Sequence, residues 1–146
     1  MRKDILLVIV LAVIIVALLA ILFWPKKASS PILNNNQSLA DIEVFTPKPN
    51  DIVSSPLKIT GIIRGNGWFG FEGQVGTITL FDDKNNILVH TYLGATTEWT
   101  TLPTNFEANL NFIPSGSATG FMVFHNENAS GEPTRDKIFV LPIKFK

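Results

Sequence analysis

The chain has 146 residues, which is about one domain at the usual roughly 100 to 200 residues per domain and excludes a large multidomain enzyme. Twelve Lys and Arg residues balance twelve Asp and Glu residues, so no basic excess favours nucleic acid as a partner. Cysteine is absent, which excludes disulfides, cysteine-ligated zinc, a thiol nucleophile and a lipid-modified cysteine.

The N-terminal region is dominated by a continuous apolar run, Ile5–Trp24. Twenty helical residues span roughly 30 Å, the thickness of a bilayer's hydrocarbon core. The run therefore predicts one transmembrane helix at 5–24, after a short cytoplasmic start at 1–4. A cleaved signal peptide is the alternative, since Arg2 and Lys3 resemble its charged head. Its apolar region usually has only about 7 to 15 residues before a small-residue cleavage site, so we favour an uncleaved anchor.

Orientation depends on the basic residues that flank the run. Arg2 and Lys3 precede it, and Lys26 and Lys27 follow it, which is a tie under the positive-inside rule. No further basic residue occurs before Lys48, and this favours a cytoplasmic N-terminus. Residues 25–40, rich in Ser and Asn, are typical of a flexible linker. We therefore expect a single-pass cell membrane protein whose C-terminal domain is extracytoplasmic.

Residues 41–146 have the pattern of an all-β domain. Apolar and polar residues alternate from Phe106 to Phe112, and Phe139, Leu141, Ile143 and Phe145 share one face of the last predicted strand. Shorter alternating runs occur around residues 57–60, 77–80 and 122–124. The pattern predicts a two-sheet Greek-key β-sandwich of about seven strands.

Turn-forming residues separate these runs. Residues 82–86 (DDKNN) predict a hairpin turn, because Asn tolerates left-handed backbone conformations. The acidic pair in that segment suggests calcium as an alternative, but it lacks the alternating oxygen ligands and Gly of an EF-hand loop. Two further turns are predicted at 114–116 and 129–133. Pro142 indicates that part of the last strand lies at a sheet edge.

Several segments together resemble a known family. They are residues 52–61 (IVSSPLKITG), Arg64–Gly65, Trp68–Phe69, Phe71–Gly73, Asp82, Trp99, residues 128–131 (NASG) and residues 141–145 (LPIKF). The set resembles the immunoglobulin-like domain associated with bacterial spore germination, the second of the Gmad pair. The resemblance implies an immunoglobulin-like sandwich in cell-surface proteins that mediates contacts, with no established catalytic residues to transfer. Gly67 and Gly70 interrupt an element that usually runs without a break in the family.

The chain has few candidates for catalysis. His90 and His125 are its only histidines, and each lies in a predicted strand beside apolar neighbours. A hydrolase would need a nucleophile and an acid within hydrogen-bond reach of one of them, and the spacing does not indicate this. We predict no catalytic residue, no metal site and no cofactor, with a hydrolase kept as a less favoured alternative.

The segment 64–76 (RGNGWFGFEGQVG) is the main candidate for binding. Its aromatic residues fit the interior of the sandwich, which we favour, or an exposed partner anchor, because Trp and Arg are enriched in binding hot spots. The candidate binding residues are Arg64, Trp68, Phe69, Glu72 and Trp99. Arg64 and Glu72 could also simply pair with each other. Trp99 lies among threonines, where it suits a loop that is half-buried or contacts a protein or sugar.

These observations predict a non-catalytic, membrane-anchored and exported interaction module of the bacterial cell envelope, related to spore-germination or other surface protein assemblies. Its partner is expected to be a protein or a cell-wall glycan. An envelope carbohydrate-binding or adhesive domain, with Trp68 or Trp99 stacked on a sugar, is the alternative function.

Overall fold

The computed structural model describes residues 41–146. They form eight strands and a short 3-10 helix, Pro133–Arg135. The strands are β1 (Ile42–Thr46), β2 (Ile52–Val53), β3 (Leu57–Ile63), β4 (Gln74–Asp82), β5 (Ile87–Ala95), β6 (Thr104–Leu110), β7 (Thr119–Asn126) and β8 (Ile138–Phe145). The all-β prediction is confirmed, and the eight strands, of which β2 has only two residues, compare with about seven predicted. Within residues 41–146 no helix has the length and hydrophobicity to cross a bilayer. The helix predicted at 5–24 and the linker at 25–40 lie outside the described residues.

The strands are hydrogen-bonded in the order β1-β3-β6-β5-β4-β7-β8-β2. β1, β3 and β6 form one layer of the sandwich, and β5, β4, β7, β8 and β2 form the other. The layers join where β5 pairs with β6 at only two positions, Gly94 and Ala95. The chain crosses between the layers at residues 47–51, 54–56, 64–73, 96–103 and 111–118, as expected of the Greek-key connectivity that the sequence predicted.

The core lies between the layers and follows the alternation in the sequence. Ile59, Ile78, Leu80, Leu110 and Met122 are fully buried and belong to one apolar cluster. Every other residue of each strand faces inward because successive side chains point to opposite sides. The inward register predicted for β6 is confirmed, since Phe106, Ala108, Leu110 and Phe112 are all buried.

Pro142 lies where an open edge can accommodate it. β2 pairs with β8 only at Lys144 and Phe145, so the same side of Pro142 has no strand beside it. There the carbonyl of Pro142 accepts a hydrogen bond from the amide of Asn50, at 2.7 Å. A residue without a backbone N–H therefore costs the sheet no ladder hydrogen bond.

Residues 82–86 form the predicted hairpin turn between β4 and β5. The Asp82 carboxylate is buried and accepts hydrogen bonds from the amides of Lys84, at 2.9 Å, and Asn86, at 2.8 Å. It also accepts one from the Asn86 side chain, at 2.9 Å. These bonds, led by that of the Asn86 side chain, hold the pKa of Asp82 below its usual value near 3.8. The carboxylate of Asp82 therefore stabilises the turn by accepting hydrogen bonds from its residues.

The outer sides of the two layers differ in charge. The charged face, the outer side of β1, β3 and β6, carries the ion pairs Lys58–Glu107 and Arg64–Glu43, both at 2.9 Å. The uncharged face, the outer side of β5, β4, β7 and β8, has three cross-strand rows without Asp, Glu, Lys or Arg. Each strand contributes three outward positions: Ile87, His90 and Tyr92 on β5; Thr77, Thr79 and Phe81 on β4; Phe121, Val123 and His125 on β7; and Ile138, Val140 and Pro142 on β8.

Candidate functional site

The Gly-aromatic loop, residues 64–73, connects β3 to β4 and is held in place by backbone hydrogen bonds. Phe71 and Gln74 exchange two of them, at 2.7 and 2.9 Å. The amide of Ala95 in β5 donates to the carbonyl of Gly73 at 2.8 Å. The end of the loop is thereby attached to the second layer.

The three aromatic residues of this loop have different environments. Trp68 is only 2% exposed and belongs to the core cluster, as the favoured interpretation predicted. The Trp68 side chain is therefore not available to a binding partner at the surface. Phe69 is 55% exposed and Phe71 45% exposed. The favoured interpretation, which placed all three rings inside the sandwich, is therefore wrong for Phe69 and Phe71, which present apolar surface to solvent.

Gly70 lets this loop approach its neighbour. A Cβ at Gly70 would lie 2.5 Å from the carbonyl oxygen of Trp99, a distance that real Cβ atoms essentially never show. The Gly-aromatic loop therefore packs directly on the backbone of the β5–β6 connection. Gly67 has a φ of +100°, and its Cβ would meet the Lys137 side chain at 2.8 Å. The two glycines that interrupt the family motif are thus positions where neighbouring segments approach the Gly-aromatic loop closely.

The buried side chain of Asn126, at the end of β7, joins two loops. Its Nδ2 donates to the carbonyl of Gly67 at 2.7 Å and to that of Arg135 at 3.0 Å. Its Oδ1 accepts from the amide of Lys137 at 2.8 Å. Sequence reasoning missed this residue, because an asparagine at a strand end has no pattern that reveals partners 59 residues away.

The β7–β8 loop, residues 127–137, is also ordered from within. The Asn128 side chain donates to the carbonyl of Glu132 at 2.9 Å and to the Asp136 carboxylate at 2.6 Å, and it accepts from the Ser130 hydroxyl at 2.7 Å. Arg135 and Glu132 form an ion pair at 2.9 Å. The loop therefore presents a defined surface beside the Gly-aromatic loop.

A groove of about 470 Å³ lies between these two loops. Phe69 and Phe71 line it from the Gly-aromatic loop, and Asn128, Arg135 and Lys137 line it from the β7–β8 loop. Aromatic rings thus share an open cleft with amide and cationic side chains and with the carboxylate residue Glu127. That combination is typical of binding sites in which apolar anchors supply affinity and a few polar groups set orientation.

The other predicted binding residues do not line this groove. Arg64 pairs with Glu43, at 2.9 Å, and not with Glu72. Glu72 is exposed and adopts a left-handed conformation, with a φ of 50°. Trp99 is partly buried in the β5–β6 loop, with its backbone against Gly70. Of the five predicted residues, the structure therefore brings only Phe69 to the groove.

The two histidines lie on the uncharged face. Nδ1 of His90 is 2.7 Å from Oγ1 of Thr79, and Nε2 of His125 is 3.8 Å from the Asp136 carboxylate. Among residues 41–146, the ring of His90 makes no hydrogen bond to a carboxylate. The hydroxyl–imidazole pair thus lacks the third group that orients a catalytic base.

Residues 41–132 match the family described as the immunoglobulin-like domain of bacterial spore germination. The chain belongs to this family. The match to the germination immunoglobulin-like family covers β1 to β7, the Gly-aromatic loop and the first half of the β7–β8 loop. The closing segment 141–145, which contributed to the resemblance, lies beyond the matched residues. Comparisons with curated proteins and with solved structures find no match.

Proposed function

We propose that this chain is a non-catalytic, membrane-anchored and exported module that binds a protein partner at the bacterial cell envelope. The groove between the Gly-aromatic and β7–β8 loops is the proposed contact site. The observation that carries the proposal is the exposure of Phe69 and Phe71, 55% and 45%, on a loop that hydrogen bonds hold in place.

Large apolar side chains on an ordered loop favour binding for an energetic reason. Each side chain that must be immobilised on association costs about 0.5–1.5 kcal/mol, and an ordered loop avoids part of that cost. Asn126 and the Gly70–Trp99 contact supply this order before a partner arrives. A partner can therefore bury the two rings without folding the loop first.

The position where the chain enters the domain also supports the proposal. The carbonyl of Asp41 accepts from the amide of Arg64 at 2.9 Å, and its carboxylate accepts from the side chain of Asn66 at 2.9 Å. The proposed linker, residues 25–40, thus joins the domain beside the Gly-aromatic loop. A flexible linker of this length has a root-mean-square span of about 20–24 Å. The proposed anchor would keep the groove within reach of partners at the membrane.

Site-specific photo-cross-linking in intact cells tests the binding site. A photoreactive residue in place of Phe69 should give a covalent adduct with an envelope protein. The same residue in place of Ile113, which is 86% exposed at the opposite end of the domain, serves as the control. Equal labelling at both positions, or none at Phe69, would contradict the groove as a protein-binding site.

Protease added to whole cells should digest the C-terminal domain, and full protection would contradict export.

A carbohydrate partner is the second candidate, and the exposed rings beside Asn128 and Arg135 favour it. Sugars stack on aromatic faces while amides and guanidinium groups bind their hydroxyls. Because Trp68 is buried, such stacking would use Phe69, Phe71 or the partly buried Trp99. Isolated cell-wall glycans should then bind the intact chain and lose that binding in Phe69→Ala. Binding that survives this change would argue against the groove as a sugar site.

A further inference from the structure

The uncharged face carries an inference that does not depend on the groove. The cross-strand register places Thr77, Thr79 and Phe81 of β4 between outward residues of β5 and β7. Charged groups lie only at the margins of this patch: Lys144 follows Pro142 along β8, and Asp136 lies 3.8 Å from His125. The charged face shows that the same fold tolerates ion pairs on an outer sheet surface.

Two pairs of side chains on the uncharged face already contact each other, Thr79 with His90 and Phe81 with Phe121. Thr79 Oγ1 and His90 Nδ1 are 2.7 Å apart, so this hydroxyl and ring nitrogen keep a partner when water is removed. Phe81 and Phe121 stack with ring centroids 5.0 Å apart. Tyr92 and Ile138, at one end of the patch, are 58% and 47% exposed. Covering this face would bury apolar area without leaving the Thr79 hydroxyl unsatisfied.

We propose that the uncharged face is where two copies of this chain meet. A two-fold contact places the same patch on both sides, so an isolated charge within it would meet its own copy or be buried without a partner. A patch of three uncharged rows meets itself without that penalty. A partner with a charged surface would find no complementary group here, whereas a second copy presents the same stacked rings and β-branched side chains.

The size of the patch determines how strong the contact is. Four strands about 4.8 Å apart, each with three outward positions, cover about 20 by 20 Å in projection. Stable interfaces bury about 800 Å² of accessible surface on each partner. The contact is therefore at the small end of specific interfaces, and the dimer is expected to be weak in dilute solution. Cross-linking of the intact chain in its native membranes is accordingly the appropriate measurement.

The absence of cysteine from the sequence makes the experiment direct. Val123→Cys puts a thiol near the centre of the uncharged face, and Asn109→Cys puts a matched thiol on the charged face. A short bis-maleimide should convert Val123→Cys to a product of twice the chain mass and leave Asn109→Cys monomeric. Tyr92→Cys, at a more exposed position at one end of the same patch, should also cross-link with a longer bis-maleimide and keeps the test valid if Val123→Cys folds poorly.

A charge on the face provides the second arm. Thr79→Glu, added to Tyr92→Cys, should lower the cross-linked fraction about tenfold or more, because about 1.4 kcal/mol already corresponds to tenfold. Asn109→Glu in the same background should leave it unchanged. Phe69→Ala should also leave it unchanged, which separates this contact from the groove. Monomer only, equal cross-linking from both faces, insensitivity to Thr79→Glu, or a product of any other mass would overturn the proposal.

Discussion

At one end of the sandwich, the carboxylate of Asp82 closes the β4–β5 turn; at the other end, the amide of Asn126 joins the Gly-aromatic and β7–β8 loops. Both side chains are buried at strand ends, 1% and 4% exposed. Asp82 binds residues two and four positions further along the chain, whereas Asn126 reaches a carbonyl 59 residues away. A buried polar group can therefore organise a local turn or hold together loops that are distant in sequence.

The largest loss of unfolding free energy is expected from a change in the core, which lies between these two ends. Leu110→Ala removes a fully buried side chain and should lower the free energy of unfolding by about 2–5 kcal/mol, through lost burial and a residual cavity. Urea unfolding in detergent, followed by tryptophan fluorescence, measures it. The adjacent outward change Asn109→Ala should stay within about 0.5 kcal/mol. Equal losses from the two changes would refute the register of β6.

Asn126→Ala tests the long-range end. It leaves the Gly67 and Arg135 carbonyls and the Lys137 amide without their side-chain partner, and unfolding should become easier by about 1–3 kcal/mol. Limited proteolysis should then cut within residues 64–73 or 127–137 while the β4–β5 turn stays protected. Asn109→Ala is the control for a surface asparagine. Unchanged protection of both loops would show that Asn126 does not organise this end.

Asp82→Asn tests the local end through pH. Because the pKa of Asp82 is lowered in the folded state, its contribution to stability is present above its ordinary pKa near 3.8 and is lost as pH falls through the lower folded value. The stability difference between the native chain and Asp82→Asn should therefore shrink on acidification below about pH 4. Asn86→Ala removes the side-chain hydrogen bond that lowers the pKa of Asp82 most, so the loss of stability should move to higher pH. A difference that stays constant between pH 7 and pH 2 would contradict the role of the carboxylate.

The smallest effect is expected from an exposed ion pair, which organises neither end. Lys58→Ala breaks the pair with Glu107, whose side chains are 60% and 41% exposed, and should change the unfolding free energy by only about 0–1 kcal/mol. Added salt should reduce even that difference, because exposed charges are screened. A larger, salt-insensitive loss would show that the charged face contributes more than its ion pairs.

The candidate site could be predicted in part. The sequence identifies the Gly-aromatic segment as a binding candidate, because Trp and Arg are enriched in binding hot spots. Which of Trp68, Phe69 and Phe71 is buried could not be read, because a loop has no period that assigns sides. The second wall of the groove was missed, since residues 127–137 contain ordinary polar residues whose partners are set by folding.

Local chemistry was enough to predict the alternating faces of β3, β4, β6, β7 and β8 and the β4–β5 turn, because alternation and turn propensity act over a few residues. The family resemblance likewise needed only short segments of the chain. Folding was needed to bring the Gly-aromatic loop against the β7–β8 loop through Asn126, and to align three uncharged positions on each of four strands into one surface. Both arrangements depend on contacts between residues far apart in sequence, which hydrogen-bond register and core packing set only once the sandwich has formed.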